Sequence, residues 1–252
     1  MTEMEKCDTV KKQKRIRADK LIELANTKGV KAVPISLEVW GDYACFTMQA
    51  LKTERVSYEV MTPSAARGLL ESVYWHPGLR WVIDRIRVCA PIRFANLRRN
   101  EVKSTASARL ARTVMERGKG ELYIAASQDI QQRAALLLRD VRYVIDAHFC
   151  ITAQASSSDN EGKFQDIIKR RIRRGQFYSQ PYLGCREFPA HFKMCEAPPP
   201  CPEELNGVRD LGYMLWDLDY SDPGNIVPLF FRAALRDGVL AVPARDSGEV
   251  IG

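Results

Sequence analysis

Between Gln132 and Ile151 the sequence alternates for longer than anywhere else in the chain, with Ala135, Leu137, Val141, Tyr143, Ile145, Ala147 and Phe149 on one side of a two-residue period. That period belongs to a strand with one buried face. Shorter runs surround it. Val33, Ile35, Leu37 and Val39 alternate with Pro34, Ser36 and Glu38, and Gly41-Asp42 predicts a turn into a second extended run, Tyr43 to Met48. Thr62-Pro63 reads as an N-cap with a first-turn proline. It opens a helix striped by Ala66, Leu69, Leu70 and Val73 that Pro77-Gly78 ends, with Tyr74 and His76 at its exit. Trp81 to Ile92 is the next expected strand and Gln180 to Phe188 the last. The predicted class is α+β, a ferredoxin-like βαββαβ domain whose two helices cover one sheet face.

The second helix of that plan is the basic stretch Asn160 to Arg174, with six cations (Lys163, Lys169, Arg170, Arg171, Arg173, Arg174) against Glu161 and Asp166. Phe164, Ile167, Ile168 and Ile172 recur at the spacing of one apolar helix face. A helix docked through them shows Lys163, Arg170 and Arg174 as a row to solvent. The row is either a solvated basic face or a track for a polyanion. Asp159 or Asn160 is the expected N-cap, which leaves Lys163 in the first turn, where the positive end of the helix dipole disfavours it.

The formal net charge of +7 over 252 residues points to an acidic partner such as nucleic acid. Residues 1–31, with nine basic and five acidic groups, read as an N-terminal extension: a short helix, a disordered segment or an upstream addition from a misplaced start codon. Residues 32–196 make the ferredoxin-like domain. Within it, residues 93–117 look like a long basic arm or hairpin, or a surface loop. Ala197 to Pro202 reads as a linker to a small β-rich C-terminal extension, 197–252, in which Leu211, Tyr213 and Leu215 alternate and Asp237-Gly238 marks a hairpin turn. No signal peptide or membrane span is expected, so the reading is a cytoplasmic protein with no membrane partner.

Seven cysteines form no CxxC pair. Cys45, Cys89 and Cys150 read as small buried hydrophobes, and Cys185, Cys195 and Cys201 with His191 make a weak metal signal. The expected metal and cofactor content is none. With only His76, His148 and His191 present, and no phosphate-binding glycine loop or zinc hydrolase motif, hydride transfer, nucleotide hydrolysis and zinc chemistry lose support. His148, inside a strand, reads as structural. Metal-free cleavage of RNA remains, because the 2′-hydroxyl is an internal nucleophile that needs alignment and charge stabilisation.

The pieces GDYACFT (41–47), ESVYWHP (71–77), PIRFANLRRNEV (91–102), LLRDVRYVIDAHF (137–149), NEGKFQ (160–165), RRGQFYSQPYLGCREFPAHF (173–192), DLGYMLWDLDY (210–220) and FFRAALRDGVLAVP (230–243) resemble, in order, the Cas-five family of type I-C CRISPR systems, Dvulg subtype. The resemblance implies a ferredoxin-like protein of the RAMP superfamily that serves antiviral defence. It would cut CRISPR repeat RNA at the hairpin base without a metal. It would then stay on the 5′ handle within the surveillance complex, beside the backbone and large subunits. The family's tyrosine falls on Tyr74 and its lysine on Lys163, but its histidine falls on Phe164. The implied catalytic residues are therefore Tyr74 and Lys163, with Lys169, Arg170, Arg171, Arg174, Arg98 and Arg99 on the RNA. His76 lies two residues past Tyr74, and Gly184 is either a turn glycine or a point of close RNA approach. The competing reading, which Phe164 favours, is a handle-binding structural subunit without catalysis. A metal-dependent DNA nuclease lacks a compact carboxylate cluster to support it.

Overall fold

A computed structural model describes residues 34–51, 53–222 and 224–252. The expected N-terminal extension 1–31, Cys7 and Val33 lie outside the described residues. The strands are β1 (Ile35–Ala44), β2 (Arg55–Val56), β3 (Leu79–Val88), β4 (Phe94–Val102), β5 (Ile130–Ile151), β6 (His191–Met194), β7 (Val208–Asp219), β8 (Val227–Arg236) and β9 (Val239–Ala241). The helices are α1 (Pro63–Val73), α2 (Ala108–Arg117) and α3 (Glu161–Arg173), with a 3-10 turn at Glu203–Leu205. Helices and an almost wholly antiparallel sheet make a mixed α+β fold, with main strand order β6-β1-β5-β3-β9-β8-β7 and β2 and β4 attached to β5. Among the described residues no helix is long and apolar enough to cross a membrane.

The expected long strand is the spine. The C-terminal half of β5 lies between β1 and β3, from Ile35↔Ala147 to Ala44↔Leu138 on one side and from Leu79↔Ile151 to Val88↔Tyr143 on the other. Its N-terminal half pairs with β4 from Phe94↔Leu138 to Val102↔Ile130. Asp140 marks the hand-over between these partners with φ 53°. Odd-numbered β5 residues Val141, Tyr143, Ile145, Ala147 and Phe149 are buried. Phe149 meets both Trp81 and Phe164, so this face looks towards α3.

Even-numbered residues turn to the opposite face, which is laced with ion pairs. Asp146 accepts from Ser36 Oγ (2.5 Å), Arg85 Nε (2.6 Å) and Arg87 Nε (3.2 Å). Burial pushes the Asp146 carboxyl up, but the Ser36 and Arg85 hydrogen bonds outweigh it and hold the group below its ordinary value. Glu38, also buried, takes Arg142 Nε at 2.7 Å and Lys193 Nζ at 3.2 Å. His148 is structural, as expected: its Nδ1 lies 2.9 Å from Asp84 Oδ1, and that bond raises its pKa to about 10.

Four sequence expectations change. Gly41-Asp42 does not turn the chain; β1 runs through it, because Gly41 leaves room for Leu183 and Pro189, whose Cδ1 and O would lie 2.6 and 3.0 Å from any Cβ there. Gln180 to Phe188 is not a strand. Pro181 has no N–H, Gly184 sits at φ +83°, and Leu183 and Phe188 close a tight loop (Leu183 N to Phe188 O, 2.8 Å), so the edge strand is β6, further on. The β7 alternation is broken by register shifts at Gly212 and before Asp217, which bury Met214 and leave Tyr213 62% exposed. The stretch 93–117 is a strand and a helix, β4 and α2, with no α2 residue buried.

Other expectations agree with the fold. Thr62 caps α1 by accepting from Ala65 N, and Ala66, Leu69, Leu70 and Val73 are its buried stripe. Asp237 and Gly238, both at positive φ, turn β8 into β9. Cys45 is buried, whereas Cys89 and Cys150 are half-buried, and Cys150 beside His148 has its thiol pKa lowered by that contact.

Gly184 is a packing glycine. It sits in a turn at positive φ, and a Cβ there would also stand 2.1 Å from the Cys45 carbonyl oxygen, so the close approach is made by the β1 exit. Gly184→Ala is expected to destabilise the protein by about 3 kcal/mol or more, from strain plus collision. Gly175→Ala, at φ +62° with nothing within 4 Å, should cost only about 1 kcal/mol. Denaturant midpoints of the two variants test the difference.

Candidate functional site

Two element ends converge beyond the Ile151 end of β5. The first is the exit of α1. Tyr74 is its C-cap, with N–H donating to Leu70 O at 2.9 Å. The Tyr74 carbonyl accepts from Trp81 Nε1 (3.0 Å), and the neighbouring Val73 carbonyl accepts from Arg171 Nη1 (3.0 Å). The backbone at Tyr74 is therefore held by β3 and by α3. Its ring is 8% exposed, with the Arg171 guanidinium 5.2 Å from its centroid. Burial raises the phenol pKa against the lowering effect of Arg171 and Lys163. Tyr74 is thus a protonated hydroxyl at neutral pH, a hydrogen-bond donor rather than a phenolate base.

The second is the start of α3. Asn160 is the N-cap, its Oδ1 accepting from Lys163 N at 2.9 Å. Lys163 is in the first turn, as expected, and the structure supplies what offsets the dipole: its Nζ lies 2.8 Å from Asp159 Oδ1. Asp159 also accepts from Ser156 N at 2.8 Å. The Lys163 hydrogen bond, then the Ser156 N–H, hold its carboxyl well below the usual range. The Lys163 side chain stays 42% exposed.

Phe164 joins the two ends. It is fully buried, and around its ring stand Tyr74 (centroids 6.3 Å apart), His76 (5.1 Å) and Phe149 (6.1 Å). Ile168 and Ile172 continue the buried side, with Ile167 partly buried. Next to the cluster are two exposed aromatics. Trp75 is 60% exposed, and Tyr178, 84% exposed, is tied to α1 by its N–H on Ser72 O at 2.8 Å.

The fold brings some of the proposed RNA-binding residues together and separates others. Lys169, Arg170 and Arg174 lie along α3, the first half-buried and the others exposed. Arg171, expected on the RNA, donates to the Val73 carbonyl and lies over the Tyr74 ring. Arg98 and Arg99 are on β4 opposite Ala134 and Arg133. That is roughly 60 Å of strand from Ile151 at about 3.3 Å per residue, so they belong to another region. Arg98 is exposed. Arg99 is engaged, its Nη2 on Glu187 Oε1 at 2.8 Å, and Arg55 shares the same carboxylate at 3.0 Å. Sequence reasoning considered Asp159 only as a cap and missed Arg171 as an orienting group. The spacing of Asp159 and Lys163, i to i+4, was the available signal for the first.

The family model described as CRISPR-associated protein (Cas_Cas5) matches residues 35–243. Two curated relatives are each named CRISPR pre-crRNA endoribonuclease Cas5d. That of Mannheimia succiniciproducens is 46% identical over 221 residues, covering 86% of this chain and 97% of the relative. That of Thermus thermophilus is 37% identical over 234 residues, covering 86% and 94%. Among solved structures, the crystal structure of a CRISPR-associated protein is 21% identical with a TM-score of 0.60, covering 88% of this chain and 97% of that one. A functionally uncharacterized protein from Streptococcus mutans is 20% identical with a TM-score of 0.62, covering 88% and 98%. At these identities the structural likeness is one of fold.

The placement of the α3 cations makes a quantitative expectation. If Lys169, Arg170 and Arg174 each neutralise one phosphate, the log-log salt slope for single-stranded RNA should be near −2, from about −0.7 per contact. Arg170→Ala should flatten it by about 0.7. Arg171→Ala should leave the slope in place and reduce cleavage, since that residue holds Tyr74. Filter-binding titrations at several salt concentrations, with cleavage assays alongside, separate the two roles.

Proposed function

The chain belongs to the Cas5 family of CRISPR-associated proteins, in its type I-C branch, and from that membership we propose that it is the endoribonuclease that cuts CRISPR repeat RNA at the base of the hairpin and stays on the 5′ handle. The observation that carries the catalytic part is that Tyr74, at the end of α1, packs on Phe164 at the start of α3, where the cation of the preceding residue, Lys163, acts on its phenol. The relatives named pre-crRNA endoribonuclease support the substrate class.

The strand order supports the ferredoxin-like reading. Taken alone, β1, α1, β3, β5, α3 and β6 follow the βαββαβ sequence, with β6, β1, β5 and β3 side by side. In this reading residues 32–196 form the processing unit and 197–252 the β-rich extension. The arm, β4 and α2, is a contact for RNA or for the backbone and large subunits of the surveillance complex. Arg98 and the exposed apolar residues Leu110, Met115 and Tyr123 support that role.

The chemistry is an internal transesterification. The 2′-oxygen attacks the adjacent phosphorus, the bond from phosphorus to the 5′-oxygen breaks, and the products are a 2′,3′-cyclic phosphate and a 5′-hydroxyl. The proton lost by the 2′-hydroxyl passes to solvent, and one returns to the 5′-oxygen. Lys163 places a positive charge beside the non-bridging oxygens as negative charge builds there. Tyr74 donates a hydrogen bond that aligns the phosphate. Asp159 holds the lysine in place until a phosphate competes for it. No step needs a metal, so cleavage should persist in excess chelator.

A second reading, binding to the handle without cutting, is favoured by Phe164, which brings no exchangeable proton to the position after Lys163. The variants decide. Lys163→Ala should abolish measurable cleavage while weakening RNA affinity by no more than about fivefold, since it removes one partly exposed phosphate contact among several. Tyr74→Phe should slow cleavage by about 10² or less. A 2′-deoxy substitution at the cut site should stop wild-type cleavage as fully as loss of Lys163. Normal cutting by Lys163→Ala, or of the deoxy substrate, would refute this mechanism. A wild-type protein that binds the repeat and leaves it whole would establish the binding-only reading.

A further inference from the structure

The hydrogen-bonding of the Tyr74-to-Gly78 segment defines the form of one more side chain. Pro77-Gly78 is fastened to the end of β5 by two bonds, Thr152 Oγ1 to Pro77 O at 2.6 Å and Thr152 N to Gly78 O at 3.0 Å. Gly78 is wedged so tightly that an added Cβ would lie 2.8 Å from Ala155 Cα and 3.1 Å from His76 Nδ1. This close approach lets the Gly78 N–H donate to His76 Nδ1 at 3.0 Å. With Nδ1 accepting, the imidazole is neutral and its proton sits on Nε2.

The ring so fixed is half-buried and rests on Phe164, the same ring that Tyr74 meets, and Phe164 directly follows Lys163 in α3. Tyr74 and His76 therefore share one rigid aromatic floor, and the Lys163 cation, paired with Asp159, lies near enough to act on the Tyr74 phenol. We propose that His76 is a third catalytic residue of this site, a neutral imidazole whose Nε2–H donates a hydrogen bond to the oxygen that gains negative charge as the RNA phosphate is attacked. It does not exchange its proton. Its Nδ1 lone pair is occupied, so it is unavailable as a base, and loss of the Nε2 proton from a neutral ring would leave an unstable anion. Its contribution is electrostatic, a preorganised donor in a partly desolvated cleft. The assignment rests on the endoribonuclease reading given above.

Three variants and a pH series test it, with the full chain and a labelled repeat hairpin under single-turnover conditions. His76→Phe keeps an aromatic ring on Phe164 and removes the N–H; His76→Ala removes both; His76→Gln restores an N–H donor. Removing one such donor is worth about 10² to 10³ in rate, so the first two should slow cleavage at saturation by about 10², with the RNA Kd changed less than twofold. His76→Gln should recover at least about tenfold of that loss, and the ratio of wild-type to His76→Phe rates should stay constant with pH. Wild-type cutting by His76→Phe would overturn the proposal. So would a loss of rate that tracks a loss of affinity or folding, or a ratio that changes with pH, which would mark a residue that exchanges its proton. Failure of the wild-type protein to cut at all would remove the endoribonuclease reading and this assignment with it, and shows in the control lane before any variant is compared.

Discussion

Burial of the Phe164 ring is the interaction on which the site depends. Helix α3 carries six cations in the stretch 160–174, and a helix so charged repels itself in isolation. Complete burial of a phenylalanine is worth roughly 1.5–3 kcal/mol, and Ile168 and Ile172 beneath it contribute on the same scale. Screened repulsion between exposed cations, each pair at a few tenths of a kcal/mol, does not outweigh this. The apolar side therefore decides where the helix lies, and the basic side is left free to face an anion. Because the same ring packs on Tyr74, His76 and Phe149, docking α3 also places the exit of α1 and the end of β5. One packing event assembles groups that are 89 residues apart in sequence (163 less 74).

The opposite face of the sheet follows a different rule. Asp146 and Glu38 are almost fully buried yet charged, and each is surrounded by more than one cation. Removing a partner from such a cluster strands a buried charge, which costs more than the pair contributes when intact. These clusters tie β1, β3, β5 and β6 across the sheet. They fix register where the side chains are long and polar, as the apolar layer does on the helix side. Glu187 does similar work at the far end, joining Arg55 after β1, Arg99 on β4 and its own loop.

Much of this was legible because it is periodic. The alternation from Gln132 to Ile151 located the central strand to within two residues of its ends, and the stripe in α3 named its buried side before any coordinates. The errors share a cause. Gly41 was read as a turn glycine and Gly184, which does sit in a turn, as open also to close RNA approach; at both, another backbone or side chain comes within 3 Å of where a Cβ would be. Close approach by a residue more than a hundred positions away leaves no local mark. The contacts of Arg171 and Arg99 are hidden from the sequence in the same way. Each looked like a free cation, and each is held by a partner that only the fold brings near, the Val73 carbonyl and Tyr74 ring for one and Glu187 for the other. Tyr74 and Lys163 were singled out through the family motifs, since neither a buried tyrosine nor a basic helix distinguishes a catalyst from a scaffold.

The protonation states at the site have one more consequence. Tyr74 keeps its proton because its ring is buried, Lys163 is a cation held by Asp159, and His76 in the proposed role presents a fixed N–H. All three are donors. Asp159, the carboxylate among them, is bound to Lys163 and Ser156 and is a weak base for that reason. A site of this kind stabilises the crowded phosphate and leaves activation of the 2′-hydroxyl to solvent. It forgoes the factor of about 10² to 10⁴ that a positioned acid or base supplies. Slow chemistry of that sort suits a protein that cuts one repeat and then remains on the product, because turnover is never demanded of it.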